Sequence, residues 1–464
     1  MKTIRYLAKI TLQSKTPLKV SSGHSDFFTD SPIQKDVNRL PMILGTSITG
    51  VLRDRFRKVL ENKENEIFGF QKDKENEGQG SNLIVSNALL CNKNGEVVEG
   101  IGFEENGFIE NYLNLPLREH TAINSRGVAN KGAKFDEEVV YKGSRFTFEL
   151  ELVSDGINHQ EWNKILYSIQ EDDFRLGGGT TKGFGSFESV EIKTRALNLE
   201  DDSELEEYIN KSSSLNDGRF QWKDFKQDDD NLYKSNFTKY TLTIEPDDFF
   251  MFGSGFGDKD ADNTPKKEQI VVWENQQGEF VDEVVLIPAS SIKGALAHRT
   301  AFYYNKAKNI FADKIKAGEH GNHLGENNEA VKAIFGHKKE IASDKKTELG
   351  QKGKILISDC FKKDSSKEKV FDHVAIDRFT GGAMDGALFQ EKTIARDDEN
   401  YEIEILLDSS LKDTEYEKAF ECALTDITTG MLPLGGATTK GHGVFCGELR
   451  KNAQILKERN CYAL

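Results

Sequence analysis

The chain repeats itself. Residues 176–187 read LGGGTTKGFGSF and residues 434–445 read LGGATTKGHGVF. Ten of the twelve positions are identical or exchange glycine for alanine. Three further segments recur in the same order. ILGTSITGVLRDRF (43–56) matches IPASSIKGALAHRT (287–300), IFG (67–69) matches IFG (334–336), and HTAINSRGVANKGAKF (120–135) matches HVAIDRFTGGAMDGALF (373–389). Collinear repeats require two homologous domains in tandem, so a site carried by one half is expected twice. At 464 residues, each half is long enough to bury a core of its own. The expected division is 1–196 for the first domain, 197–236 for an acidic linker and 237–464 for the second domain.

Within the first repeat, IRYLAKITLQ alternates as a strand and TSITGVLRDRFRKVLEN has the apolar spacing of a helix. Thr46 or Ser47 is the expected N-cap. LIVSNALL and RFTFELELV read as strands, INHQEWNKILYSI as a helix, and GSFESVEIKT as a closing strand. This order predicts an α+β fold of the ferredoxin-like type, with helices on one face of an antiparallel sheet. The second repeat adds a Lys-rich helical stretch at 305–332 and a charged loop at 337–352.

The net charge of −15 argues against non-specific nucleic-acid binding by the whole surface and leaves room for a local basic groove. The acidity gathers at 197–208, 224–231 and 396–404 and reads as solvated surface. There is no run of eighteen apolar residues, so no membrane span is expected. The five cysteines, Cys91, Cys360, Cys422, Cys446 and Cys461, form no CxxC pair, which disfavours structural zinc. With no signal-like N-terminus, they fit a reducing cytoplasm.

Two elements carry the chemistry. The glycine loops leave backbone N–H groups open to anions, with Gly178, Gly179, Thr180, Thr181 and Lys182 in the first copy and Gly436, Thr438, Thr439 and Lys440 in the second. A nucleotide-hydrolysing P-loop needs Gly-Lys-Ser/Thr opening a helix; here Lys precedes Gly and a strand follows. The second element is the helix start, where small residues admit a phosphate to the helix dipole. Ser47, Arg53 and Arg55 mark it in the first repeat, and Ser290, Ser291, Lys293 and Arg299 in the second.

IPASSIKGAL, followed by IDRFTGGAMDGALF and LPLGGATTKGHGVF, resembles the RAMP superfamily of CRISPR-associated proteins. The likeness is to the backbone subunit of type III effector complexes and, since the domain is doubled, to the fused backbone proteins of III-D-like systems. It implies RRM-like palms that hold guide RNA, each with a β-hairpin thumb, at 120–140 and 373–394. Arg378 would contact RNA, and Met384 would wedge against a base step. Base pairing between guide and target would read the sequence. The implied partners are guide CRISPR RNA, complementary target RNA, other RAMP subunits and a polymerase-like large subunit. The copies differ from each other: Thr49 stands where the second has Lys293, Ala297 where the first has Arg53, and the first thumb lacks the IDR and GALF of the second.

The resemblance also implies a target-cleaving aspartate shortly before the helix start. Asp30, in Asp-Ser-Pro, matches in the first repeat; Asp262 is the counterpart in the second, with Asp260 and Asp258 as neighbours in competition. Asp30 and Asp262 would hold Mg²⁺ or Mn²⁺ through water, making the chain a metal-dependent endoribonuclease. Two alternatives stay open: an inert scaffold, or a metal-independent processing nuclease using His24, His120 or His373 as general base.

Overall fold

The protein is described by a computed structural model covering residues 2–23, 31–59, 63–72, 77–103, 107–124, 127–156, 159–226, 235–338, 350–362 and 367–456. The two halves have the same topology. The first sheet is built from β1 (Ile4–Ser14), β2 (Leu83–Val85), β5 (Arg145–Ser154) and β6 (Phe187–Asn198), in the order β6-β1-β5-β2. Between β2 and β5 stand β3 (Leu117–Ile123) and β4 (Ala129–Glu138), which pair as the first hairpin. The second sheet uses β7 (Phe237–Pro246), β10 (Ile355–Ile357), β13 (Tyr401–Asp408) and β14 (Phe445–Lys451), in the equivalent order β14-β7-β13-β10. Its hairpin is β11 (Glu368–His373) with β12 (Phe389–Ala395). Each sheet is antiparallel, and the chain is two ferredoxin-like domains with a hairpin in each.

Alternation explains the layers. Tyr6, Ala8, Ile10 and Leu12 of β1 point to one face and are buried. Two helices cover that face: α1 (Gly45–Val59), through Ile48, Leu52 and Phe56, and α2 (His159–Gln170), through Trp162, Ile165 and Leu166. In the second domain Tyr240, Leu242 and Ile244 meet α4 (Ala289–Ala307) and α5 (Glu415–Thr428).

Three local expectations are revised. Helix α1 starts at Gly45, and its first N–H is taken by Asn87 Oδ1 at 2.9 Å, so neither Thr46 nor Ser47 caps it. The second repeat uses Asp359 Oδ1 in the same way for Ala289 N, at 2.8 Å. The stretch 305–332 is helical only to Ala307; three 3-10 turns follow, punctuated by Gly318, Gly321 and Gly325, before a helix at Glu329–Phe335. The segment 199–226 is no free linker. Helix α3 (Asp202–Ile209) and the residues after it lie on the open face of the first sheet. Tyr208 donates to Glu151, Lys211 binds Glu149, Lys9 donates to Leu215 O, and 223–224 pair with β6. The apolar side chains Leu215 and Phe225 give this acidic segment enough to bury.

The second repeat also carries a hairpin that its repeat pattern does not announce, β8 (Lys267–Glu274) with β9 (Gln277–Ile287). Asn275 and Gln276 turn it with φ of 49° and 65°. It reaches into the first domain. Val271 N donates to Lys142 O and Trp273 Nε1 to Gly143 O, both at 2.8 Å. Phe280 meets the rings of Phe108, Tyr112 and Tyr141. Gly143 has φ +86°, and a Cβ there would stand 1.9 Å from Val271 O, so this contact requires glycine.

Candidate nucleic-acid interface

In both domains the glycine loop, the hairpin base and one histidine form a repeated constellation. His120 stands across from Phe135 in the first hairpin and His373 across from Phe389 in the second. Each ring stacks on its partner, at 5.1 and 4.8 Å between centroids. The loop lysine covers the same phenyl ring, Lys182 over Phe135 at 5.0 Å and Lys440 over Phe389 at 4.5 Å. Each histidine faces a glutamate: His120 Nε2 lies 3.2 Å from Glu137, and His373 Nε2 lies 2.8 Å from Glu391. This places both histidines in the scaffold of the hairpin base; His24 lies outside the described residues.

The copies then diverge. Lys440 also bonds Glu391, at 2.9 Å, which neutralises it. In the first copy Lys19 takes Glu137 instead. Burial pushes the Glu137 carboxylate up, but the joint pull of His120 and Lys19 holds it at about 2. Met251 stands at the place of Lys19 in the second domain, its carbonyl accepting from Gly436 N as that of Lys19 accepts from Gly178 N. One extra lysine in the first repeat therefore releases Lys182 from the hairpin glutamate.

The loops themselves are tightly built. Thr180 is buried. Gly179, with φ +67°, packs so closely on Phe184 that a Cβ would fall 2.5 Å from its ring. Thr438–Lys440 form one 3-10 turn, leaving Thr439 exposed.

The helix starts depart from expectation. Arg53 bonds Glu64 and Gly69 O, tying α1 to the helix Glu64–Phe68. Arg55 is 6% exposed and bonds Asp173 at 2.8 Å. Arg299 bonds Asp426 on α5. Arg53 and Arg299 tie helices together and Arg55 ties α1 to the turn after α2; Arg55 has almost no surface left for RNA. Ser47 and Ser290 are half-buried and Ser291 exposed in the first turns of α1 and α4. Lys293, also half-buried, points across the domain boundary, where its Nζ donates to Thr181 Oγ1 at 3.0 Å.

That boundary is the main feature sequence reasoning missed. The loop of the first repeat meets the helix start of the second, not its own. Gly183 bridges Ser358, and a Cβ on it would lie 2.3 Å from Asp359 Oδ1. Arg118, 3% exposed, donates to Glu268 at 2.8 and 2.5 Å and to Asp359 at 2.6 Å, with Phe184 beneath its guanidinium. Arg175 reaches Ser358 Oγ at 3.0 Å, its pKa pushed down to about 10 by burial. No periodicity marks Arg118 or Asp359; their only signal is position, two residues before His120 and two residues after the core strand Ile355–Ile357.

Of the candidate catalytic residues, Asp30 lies outside the described residues. Asp262 is exposed and sits on the second hairpin: its Oδ2 accepts from Gln390 N at 2.8 Å, and its N donates to Gln390 O at 3.0 Å. Gln390 adjoins Glu391, so Asp262, His373 and Lys440 converge on two consecutive residues. Asp258 caps its own turn through Asp260 N and Ala261 N and binds Lys392 at 2.5 Å, which holds its carboxyl down at about 2. Asp260 reaches Lys392 at 3.4 Å. Among the described residues no three His, Cys, Asp or Glu side chains cluster to hold a metal, so an ion at Asp262 would take most of its ligands from water and RNA. On the second hairpin, Arg378 is exposed, as are Met384 at 53% and Phe379 at 99%. No helix among the described residues is long and apolar enough to cross a membrane.

The open sheet faces are mainly polar or charged. In β1 that face carries Arg5, Leu7, Lys9 and Thr11, beneath α3 and its extension; in β7 it carries Lys239, Thr241, Thr243 and Glu245, with Phe237 at its start. A search of curated proteins finds no match to the chain. The family model of the RAMP superfamily matches residues 11–188 and again 250–446, one match per domain. The chain belongs to the RAMP superfamily, whose members are CRISPR-associated RNA-binding proteins, and carries that domain twice.

Proposed function

We propose that the protein is a guide-RNA-binding backbone subunit of a type III CRISPR effector complex, with target-RNA endonuclease sites at Asp30 and Asp262. Its partners are guide CRISPR RNA, complementary target RNA, further RAMP subunits and a polymerase-like large subunit, in the cytoplasm. The observation that carries this reading is the convergence at the second hairpin base. An exposed carboxylate, Asp262, is fixed by Gln390 N, one residue from the glutamate that holds the loop lysine. The exposed Phe379 and Met384 stand further out on the same hairpin, where apolar side chains can part a base step.

Asp262, through water, and Asp30 would hold Mg²⁺ or Mn²⁺, which when bound supplies charge stabilisation at the target phosphate. Gln390 N–H orients the Asp262 carboxylate, and the hairpin fixes its distance from the RNA. The scaffold reading keeps one supporting observation: the bond from Gln390 N gives Asp262 a structural task as well. Asp262→Asn preserves an acceptor for that N–H while removing the charge. The test is a denaturing gel of end-labelled target RNA with guide-loaded complex and Mg²⁺. Loss of one cut in both Asp262→Asn and Asp262→Ala, and of all cuts with EDTA, supports catalysis. Unchanged bands in Asp262→Asn make the residue a turn anchor.

A further inference from the structure

We infer that the boundary between the two domains holds one RNA backbone phosphate in a site shared by both repeats, gripped by Lys182 and Thr181 from one side and Lys293 from the other. This rests on the RNA-binding reading above and assigns to it a subsite that neither repeat contains alone.

Three observations carry it. Lys293 Nζ already reaches across the boundary to Thr181 Oγ1 at 3.0 Å, next to Lys182 in sequence. Neither lysine makes an ion pair among the described residues. Most other half-buried cations among the described residues are paired, as Lys19, Lys35, Lys239 and Lys267 are. Two like charges at one half-buried spot repel and favour an anion between them. The burial of Lys293, and then the nearness of Lys182, push its pKa down to about 8, with Glu326 opposing.

The site is particular to this boundary. Lys182 is available because Lys19 occupies Glu137, whereas Lys440 is held by Glu391. At the first helix start the place of Lys293 is taken by Thr49, whose hydroxyl donates to Gly45 O of its own helix.

The experiment measures the salt dependence of binding to a fluorescein-labelled single-stranded RNA of mixed sequence, by anisotropy. Wild type, Lys182→Ala, Lys293→Ala, the double variant and Lys293→Arg are compared, with thermal unfolding to verify the fold. One shared phosphate predicts that the double variant flattens the negative slope of log K against log salt, reducing its magnitude by about 0.7. Lys293→Arg keeps the wild-type slope. A loss of about 1.4, the value for two separate phosphates, or an unchanged slope overturns the shared site while RNA binding stands. Failure of the wild type to bind RNA overturns the functional reading and this site with it.

Discussion

Arg118 should be the residue on which the union of the two domains most depends. It is 3% exposed and meets Glu268 and Asp359, whose side chains are 9% and 0% exposed. Burial alone would push the guanidinium pKa down; the two carboxylates more than reverse that, and the net direction is up. Arg118→Ala leaves both carboxylates buried without their cation. Breaking a buried pair in this way costs about 3–5 kcal/mol. With a denaturant slope of about 3 kcal/mol/M, the urea midpoint of the boundary should fall by about 1–1.7 M. Trp273 reports it, because its indole donates to Gly143 O of the other domain; Trp162→Phe and Trp222→Phe remove the other two tryptophans. A companion variant sharpens the test. Arg118→Met with Glu268→Gln and Asp359→Asn leaves no buried charge and keeps an acceptor for Ala289 N, as Asn87 does for Gly45 in the first repeat. It should recover at least half of the lost stability. A shift below about 0.3 M in Arg118→Ala would refute the view that this triad closes the boundary.

Four further outcomes are expected. Glu137 and Glu64 both have carboxyls held at about 2, so their stabilising contribution is complete above their ordinary value and is lost as pH falls from about 4.5 towards 2; acid unfolding of Glu137→Gln should lack part of that dependence. Lys440→Ala should change the salt slope of RNA binding less than Lys182→Ala, since Glu391 already neutralises Lys440; equal slopes would contradict this. Trypsin should spare the bond after Lys211, which is locked to Glu149 on the first sheet; early cutting there, read by mass spectrometry, would show that the segment does not dock. Asp30→Ala and Asp262→Ala should each remove one cut from a guided target, at different positions, without loss of target binding.

The duplicated motifs, read in order, determine two domains with the same element order. Strand alternation and helical spacing then determine which face of each sheet is covered, because burial of β1 and α1 leaves a period in the sequence. The glycine loops are legible because each is a local device repeated, while the hairpins at 120–140 and 373–394 are legible through the family resemblance. What the sequence left open is how charges and copies pair. Arg53, Arg55 and Arg299 look like solvent-facing cations, yet each is bound to a carboxylate on another element; an ion pair between distant residues leaves no local pattern. The acidic run after residue 197 reads as a solvated linker, but its few apolar side chains dock on the first sheet. Only the tertiary structure decides that the glycine loop of the first repeat meets the helix start of the second. That pairing depends on the hairpin Lys267–Ile287 and on Arg118, which join residues more than a hundred positions apart, and contacts across such a separation are selected by shape and charge in three dimensions.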